Sequence, residues 1–307
     1  MGDVYVVQWS ELNDRSIFAA IFRRMFRPAE WPWRVGKRYR PWGDRSFDRV
    51  VTRYLNTAVR ARAWTIAPCY VDVDDLPSTA SKSVWCRSWP IGLRWLPVTV
   101  VRLWERYALR HMAGTWVADP SDQAYVARFC PCEVFANVAL SPRAGYRARG
   151  RKKPVFLTVG GLDYPPNAEG VTWFLRNVWP HVRDNAADYT YRVVGKVNKQ
   201  MPAVDGVVYR GFVDDIDAEY EEAAAVIAPV FSGAGTSVKV LEACARQRAV
   251  FAAPFAVRGI PETEWAERGI TVCRTAEEMI VALNRFVKDM DRLRDADGQK
   301  DPDAACR

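Results

Sequence analysis

Between Pro154 and Asp289, short apolar runs alternate with segments of helical period, and this alternation constrains the fold more than any other feature of the chain. "PVFLTVGG" (Pro154–Gly161) has a strand pattern that ends in two glycines. In the following "PPNAEGVTWFLRNVWPHVR", Asn167 is expected as N-cap, and Val171, Phe174, Leu175, Val178 and Val182 recur at helical spacing. Strands are expected at "YTYRVVG" and "GVVYRGFV", then a short acidic helix at "DDIDAEYEEA" and a buried type of strand at "AVIAPV". A helix over Ser237–Arg246 leads to the strand "AVFAA", a helical stretch near Glu262–Glu267, the strand "GITVC" and a last helix, "TAEEMIVALNRFVKD". Alternation of this kind implies a parallel sheet with helices on both faces.

The first half reads as a partial second unit of the same kind. "CYVDVDDLPS" is a strand ending in acids and proline, and "LPVTVVRLWERYALRHMAG" is an amphipathic helix. "TWVADPSDQAYVARF" is strand, turn and helix, and "CEVFANVAL" is a final short strand. Before about Tyr54 no alternating pattern is visible. The polar, basic "SPRAGYRARGRKKP" reads as a linker. The expected layout is a first domain at 1–142, a linker at 143–153, a second domain at 154–290 and a disordered, apolar-poor tail at 291–307.

At 307 residues and 49% apolar content the chain suits two globular domains with real cores. No apolar run reaches the length of a membrane span, and the N-terminus lacks a basic-then-apolar signal pattern, so a cytoplasmic protein is expected. The 7 cysteines are scattered, and Cys130-Pro131-Cys132 has no second pair at zinc spacing. With only 2 histidines, no metal centre is expected. The net charge of +8 is concentrated between Arg23 and Arg45, where Trp31, Trp33, Tyr39 and Trp42 are interleaved with the basic residues. Three readings fit that segment: a solvated basic surface, contact with an anionic membrane, or nucleic acid. The last is disfavoured, because no nucleic-acid module accompanies it.

The stretch most suggestive of chemistry is "PVFSGAGTSVKVLEACAR" (Pro229–Arg246), a strand end, a glycine turn and a helix. It lacks the Gly-Lys-Ser/Thr of a Walker loop and the third glycine of a dinucleotide fingerprint. A turn of this form at a helix start favours an anion, because free N–H groups and the helix dipole face it. Glu242 follows about a turn and a half later, roughly 9 Å along the axis, which suits a diphosphate at the helix start and a ribose diol on Glu242. The alternative is a plain glycine turn in which Glu242 pairs with Lys239 on the surface.

These pieces, taken in order, resemble the retaining group 1 glycosyltransferases of GT-B fold from Tyr70 to Asp289. The resemblance is carried by "PVFLTVGGLDYPPNAEGVTWFLRNVWP", "YRVVGKVNK" and "RGFVDDIDAEYEEAAAVIAPVFSGAGTSVKVLEACA", and more weakly by "YVDVDDLPS" and "EVFANVALSP". It implies an α/β chain of two Rossmann-like domains facing a cleft, here with the N-terminal domain incomplete. The activity implied is transfer of a sugar from a nucleoside-diphosphate donor to a hydroxyl acceptor with retention. It further implies that Gly160 and Gly161 approach the donor diphosphate, and that Lys196 and Lys239 act as catalytic cations on it. Phe212 and Val213 would line the base, Gly233, Ala234, Gly235 and Thr236 would hold phosphate or sugar, and Glu242 the ribose. Read from the residues alone, Lys196 also fits a solvated loop, and Phe212 and Val213 fit core packing. Asp74 and Asp75 stand where the family often has His-Asp. They would orient an acceptor hydroxyl or cap the next segment.

Three departures are visible. Ala234 replaces a glutamate that many members aim at the donor sugar, Asp74-Asp75 replaces His-Asp, and roughly the first two βα units of the acceptor domain have no counterpart. The expected partners are a nucleotide sugar, a glycan or lipid-linked acceptor and an anionic membrane surface, without nucleic acid, cofactor or metal. A catalytically silent nucleotide-sugar-binding protein is the alternative.

Overall fold

The computed structural model describes residues 46–74, 76–79, 90–139, 141–142, 146, 154–197, 201–233 and 238–298. The basic aromatic segment of residues 23–45, Asp75, Ala234, Gly235, Thr236 and residues 299–307 lie outside the described residues. The chain divides into two units, with a boundary after Asn137.

The first unit holds a four-stranded sheet in the order β1-β2-β3-β4. Its strands are β1 (Val50–Arg53), β2 (Cys69–Val73), β3 (Gly114–Val117) and β4 (Cys132–Val134), all parallel. Its helices among the described residues include α1 (Leu55–Ala61), α2 (Trp95–Leu109) and α3 (Pro120–Val126). Burying alternate residues Cys69, Val71 and Val73 of β2 against Leu55, Ala58, Ala108 and Leu109 gives the unit its core. The start of α3 follows from its sequence: Asp119 accepts the Ser121 N–H at 2.8 Å, and Pro120 at the first position lacks the N–H a helix start would leave unused. β1 and α1 were not legible in the sequence. The strand is four residues long, and Tyr54 (φ 67) makes the turn without glycine or proline.

The second unit is built on six parallel strands: β5 (Val155–Val159), β6 (Thr190–Val194), β7 (Val207–Gly211), β8 (Ala223–Ala228), β9 (Ala249–Ala252) and β10 (Ile270–Val272). Their order is β10-β9-β8-β5-β6-β7. The chain therefore winds outward from β5 through β6 and β7, returns to the other side of β5 as β8, and winds outward again. This is the doubly wound order, and its reversal between β5 and β8 opens a crevice at the strands' carboxyl ends.

Side chains alternate across the strands, so Phe156 and Leu157 of β5 feed opposite cores. One face packs Phe156, Phe174, Trp179, Tyr191, Met279 and Leu283, with the Phe156 and Tyr189 rings stacked at 4.8 Å. The other packs Leu157, Val226, Val240, Ala243 and Val250. Burial on both faces explains why the central strands β5 and β8 read as mostly apolar runs.

The helices of this unit are α4 (Pro165–Asn177), α5 (Trp179–Arg183), α6 (Ile216–Glu222), α7 (Val238–Ala245), α8 (Glu262–Trp265) and α9 (Ala276–Gly298). Three expectations need correction. The single helix read from Pro165 to Arg183 is two, because Pro180 has no N–H to continue the ladder. Asn167 is not the N-cap: Tyr164, three residues earlier, holds that place, and Pro165 and Pro166 open the helix. The last helix continues to Gly298, into the stretch expected to be disordered. An Asp289–Arg292 pair at helical spacing spans the extension.

Candidate functional site

Three glycines permit unusually close approaches near the carboxyl ends of β5, β6 and β8. Gly195, just after β6, has φ +135, and a Cβ there would stand 2.5 Å from the Gly160 carbonyl oxygen. Gly160, just after β5, has φ +149, and its Cβ would stand 2.8 Å from the Asn167 amide nitrogen and 3.3 Å from Lys239 Nζ. Gly170, inside α4, lies directly against the Pro229 carbonyl, so a side chain there would push α4 off the end of β8. Beneath this edge the buried Thr158 hydroxyl bonds the Ile227 carbonyl at 2.7 Å and the Tyr191 hydroxyl at 2.8 Å, tying β5 to both neighbours.

The polar groups around the glycines form a connected set. Lys239 donates to Asn167 Oδ1 at 2.6 Å, and Asn167 Nδ2 donates to the Gly161 carbonyl at 2.9 Å. Burial lowers the Lys239 ammonium from the usual lysine range to about 8. Glu242, one turn along α7 from Lys239, accepts a hydrogen bond of 3.3 Å from Tyr220 on α6. That phenol is fully buried, and burial, reinforced by the Glu242 charge, raises its pKa. The surface pairing of Lys239 with Glu242 that the sequence allowed does not form. Lys239 turns to α4, and Glu242 to α6.

Lys196 follows Gly195 and is exposed, pairing with Asp163 at 3.0 Å. That hydrogen bond is the main reason the Asp163 carboxyl sits below its ordinary value. Phe212, just past β7, is 88% exposed, which removes the core-packing reading for it, whereas Val213 packs partly into the second core. Gly233 is buried with φ +133, a conformation that suits glycine. Ala234, Gly235 and Thr236 lie outside the described residues, as does Asp75.

In the first unit, Asp74 ends β2 between two donors, Arg53 Nη2 at 3.4 Å and Asn137 Nδ2 at 3.4 Å. Its carboxylate is thus held at the carboxyl edge of that sheet. Among the described residues, no group of three or more His, Cys, Asp or Glu is placed to hold a metal ion. Again among the described residues, no helix is long and apolar enough to cross a membrane.

Sequence reasoning missed Asn167 as a site residue, together with Thr158, Tyr220, Gly170 and Gly195. A glycine inside an otherwise amphipathic helix was the available signal for Gly170. The partners of Asn167 and Tyr220 are distant in sequence and left no local trace.

Residues 153–289 match the family model described as "Glycosyl transferases group 1". No curated protein sequence matches the chain. Among solved structures it resembles TarM, at TM-score 0.57 and 8% identity over 79% of this chain and 48% of that one. A trehalose-phosphate synthase from Burkholderia xenovorans in complex with glucose-6-phosphate gives TM-score 0.56 and 13% identity, over 79% and 66%. Anabaena HepE in complex with UDP and glucose gives 0.52 and 14%, over 80% and 70%. At these identities the likeness establishes the fold, two parallel α/β units of GT-B type. The chain spans about half the length of TarM.

Proposed function

We propose, from the match of residues 153–289 to the family model of the group 1 glycosyltransferases, that this chain transfers a sugar from a nucleoside-diphosphate donor to a hydroxyl acceptor with retention. The observation that carries the reading is Lys239 held beside the Gly160 turn at the reversal of winding, with Glu242 one turn further along the same helix. In this reading the donor's diphosphate lies against the glycine turn, Glu242 takes the ribose, and exposed Phe212 flanks the base. As the sugar–oxygen bond breaks, its electron pair goes to the diphosphate. Lys239 and Lys196 stabilise the charge that develops there, in the role a metal ion plays elsewhere. The departing phosphate accepts the acceptor hydroxyl's proton. No cofactor is required.

A glycan or lipid-linked acceptor in surface polysaccharide synthesis completes the proposal, with peripheral contact at a membrane face. That contact is supported by the outer side of α2, where Leu96, Val100, Leu103 (59% exposed) and Tyr107 (53%) run beside exposed Arg102 and Arg106.

UDP, which accompanies Anabaena HepE, is the first nucleotide to test, followed by GDP and ADP. One of them is expected to raise the melting temperature, with affinity falling about tenfold or more in Lys196→Ala and Glu242→Gln. Stabilisation by none, or undiminished affinity in both variants, refutes the site. The anomeric proton coupling of the product reports retention. Ala234, where many family members carry a glutamate aimed at the donor sugar, favours one second reading, a donor-binding protein without transfer. Donor-sugar binding with no product across an acceptor panel would establish it.

A further inference from the structure

Asn167 sits in the first turn of α4, where the helix makes no use of its side chain. Its backbone N–H bonds the Tyr164 carbonyl at 3.0 Å, and no side chain caps the helix start. The carboxamide instead bridges two elements. Nδ2 donates to the Gly161 carbonyl at 2.9 Å, and Oδ1 accepts from Lys239 at 2.6 Å. These neighbours also fix which way the amide points, since a carbonyl only accepts and an ammonium only donates. Gly160 keeps the space clear, because a Cβ there would press on both the amide and the ammonium.

The other charged or titratable groups nearby are engaged elsewhere. Glu242 of α7 holds the Tyr220 hydroxyl of α6, and Asp163 and Lys196, in the loops after β5 and β6, hold each other. Among the described residues no carboxylate pairs with Lys239.

We infer that Asn167 is the positioning residue for Lys239: one carboxamide, anchored on Gly161, aims the ammonium at the Gly160 turn and leaves its charge unneutralised for an incoming anion. The anion rests on the transferase reading, but the hold on the lysine does not. A carboxylate at this place would attract the same ammonium and cancel its charge, which is the chemical reason for an amide. Burial has already brought Lys239 to about 8, so it remains mostly charged at neutral pH and responds readily to the group beside it.

The test follows the lysine directly. In the full chain without nucleotide, the Lys239 side chain is titrated by ¹³C NMR from about pH 6.5 to 10.5, its signal assigned with Lys239→Arg. Asn167→Asp is expected to move the titration upward by about one unit, because it places a carboxylate beside the ammonium, and Asn167→Ala to move it downward. With nucleoside diphosphate added, Asn167→Asp is expected to weaken binding about tenfold or more. A residue that only supported the fold would lower affinity without moving the titration. Superimposable titrations in wild type and Asn167→Asp overturn the inference. So does unchanged diphosphate affinity in Asn167→Asp, given a wild type that binds. Should Asn167→Ala not fold, Asn167→Asp, of the same size, decides alone. Shifted titrations in a wild type that binds no diphosphate would uphold the hold on Lys239 and sink the transferase reading instead.

Discussion

Thr158 offers a quantitative test of the contacts beneath the site. Its hydroxyl has one proton, and the Ile227 carbonyl at 2.7 Å can only accept, so the proton goes there. The Tyr191 hydroxyl at 2.8 Å must then donate to Thr158. Thr158 is 3% exposed and Tyr191 0%, so neither finds water as a substitute partner. Thr158→Val keeps the volume but orphans the Tyr191 proton, which costs about 1–3 kcal/mol, and removes the bond to Ile227, about another 1 kcal/mol. Tyr191→Phe alone orphans no proton and costs about 1 kcal/mol. The two effects should not add. In the Thr158→Val background, Tyr191→Phe deletes the orphaned hydroxyl and is expected to be neutral or stabilising. Urea unfolding at 25 °C reads this out: Thr158→Val lowers the midpoint by roughly 1 M for a slope of about 2–3 kcal/mol/M, and the second substitution recovers part of it. Strict additivity would show that the proton is not committed as described, and that β5 is held to β6 by the ladder alone.

Lys239→Met is expected to stabilise the fold and impair the site. Lysine has a pKa near 10.4 unfolded and about 8 here, so between those values the unfolded chain binds a proton that the folded one lacks. Stability of the native protein therefore rises with pH across that window, and below it the full cost of burying the ammonium persists. The variant should gain about 1–3 kcal/mol at neutral pH, an advantage that shrinks toward pH 10, and should lose about tenfold or more in diphosphate affinity. A destabilised variant at pH 7 would contradict the burial argument. Arg246→Met removes the guanidinium that faces the buried Asp217 carboxylate, Nε to Oδ1 2.6 Å, and should cost about 3–5 kcal/mol in denaturation. A loss below about 1 kcal/mol would mean that water reaches Asp217 in the native state.

The second unit was legible because its central strands are buried on both faces: Ala223 to Ala228 is apolar throughout, and Val155 to Val159 is apolar except for Thr158. The first unit was legible only from β2 onward. β1 offers four residues with half its side chains facing outward, and its turn rests on a positive φ at Tyr54 that sequence does not announce. Within the site, Gly160, Lys239 and Glu242 stood out because a glycine turn, a helix and their spacing are local features. Their partners are not local. Near-neighbour reasoning paired Lys239 with Glu242, whereas tertiary packing gave Lys239 to Asn167 and Glu242 to Tyr220. Asn167 was read as a cap because its residue type is favoured there. The two prolines before it carry an equally good start signal, and that one prevailed.

The outward-and-back winding from β5 also orders events in time. β6 and β7 follow β5 along the chain, so this half of the sheet can assemble as soon as it leaves the ribosome. β8 has to travel back to β5, and Thr158 and Ile227, which meet there, are 69 residues apart. The Lys239–Asn167 contact closes a segment of 72 residues. Loop-closure entropy must be overcome before such contacts give any return, and parallel pairings of this kind form slowly. Lys239 and its anchor thus come from opposite halves of the winding and meet only late in synthesis. A nucleotide that needs both would have nothing to grip on the nascent half-sheet. It would act as a brake on unfolding rather than as a guide to folding.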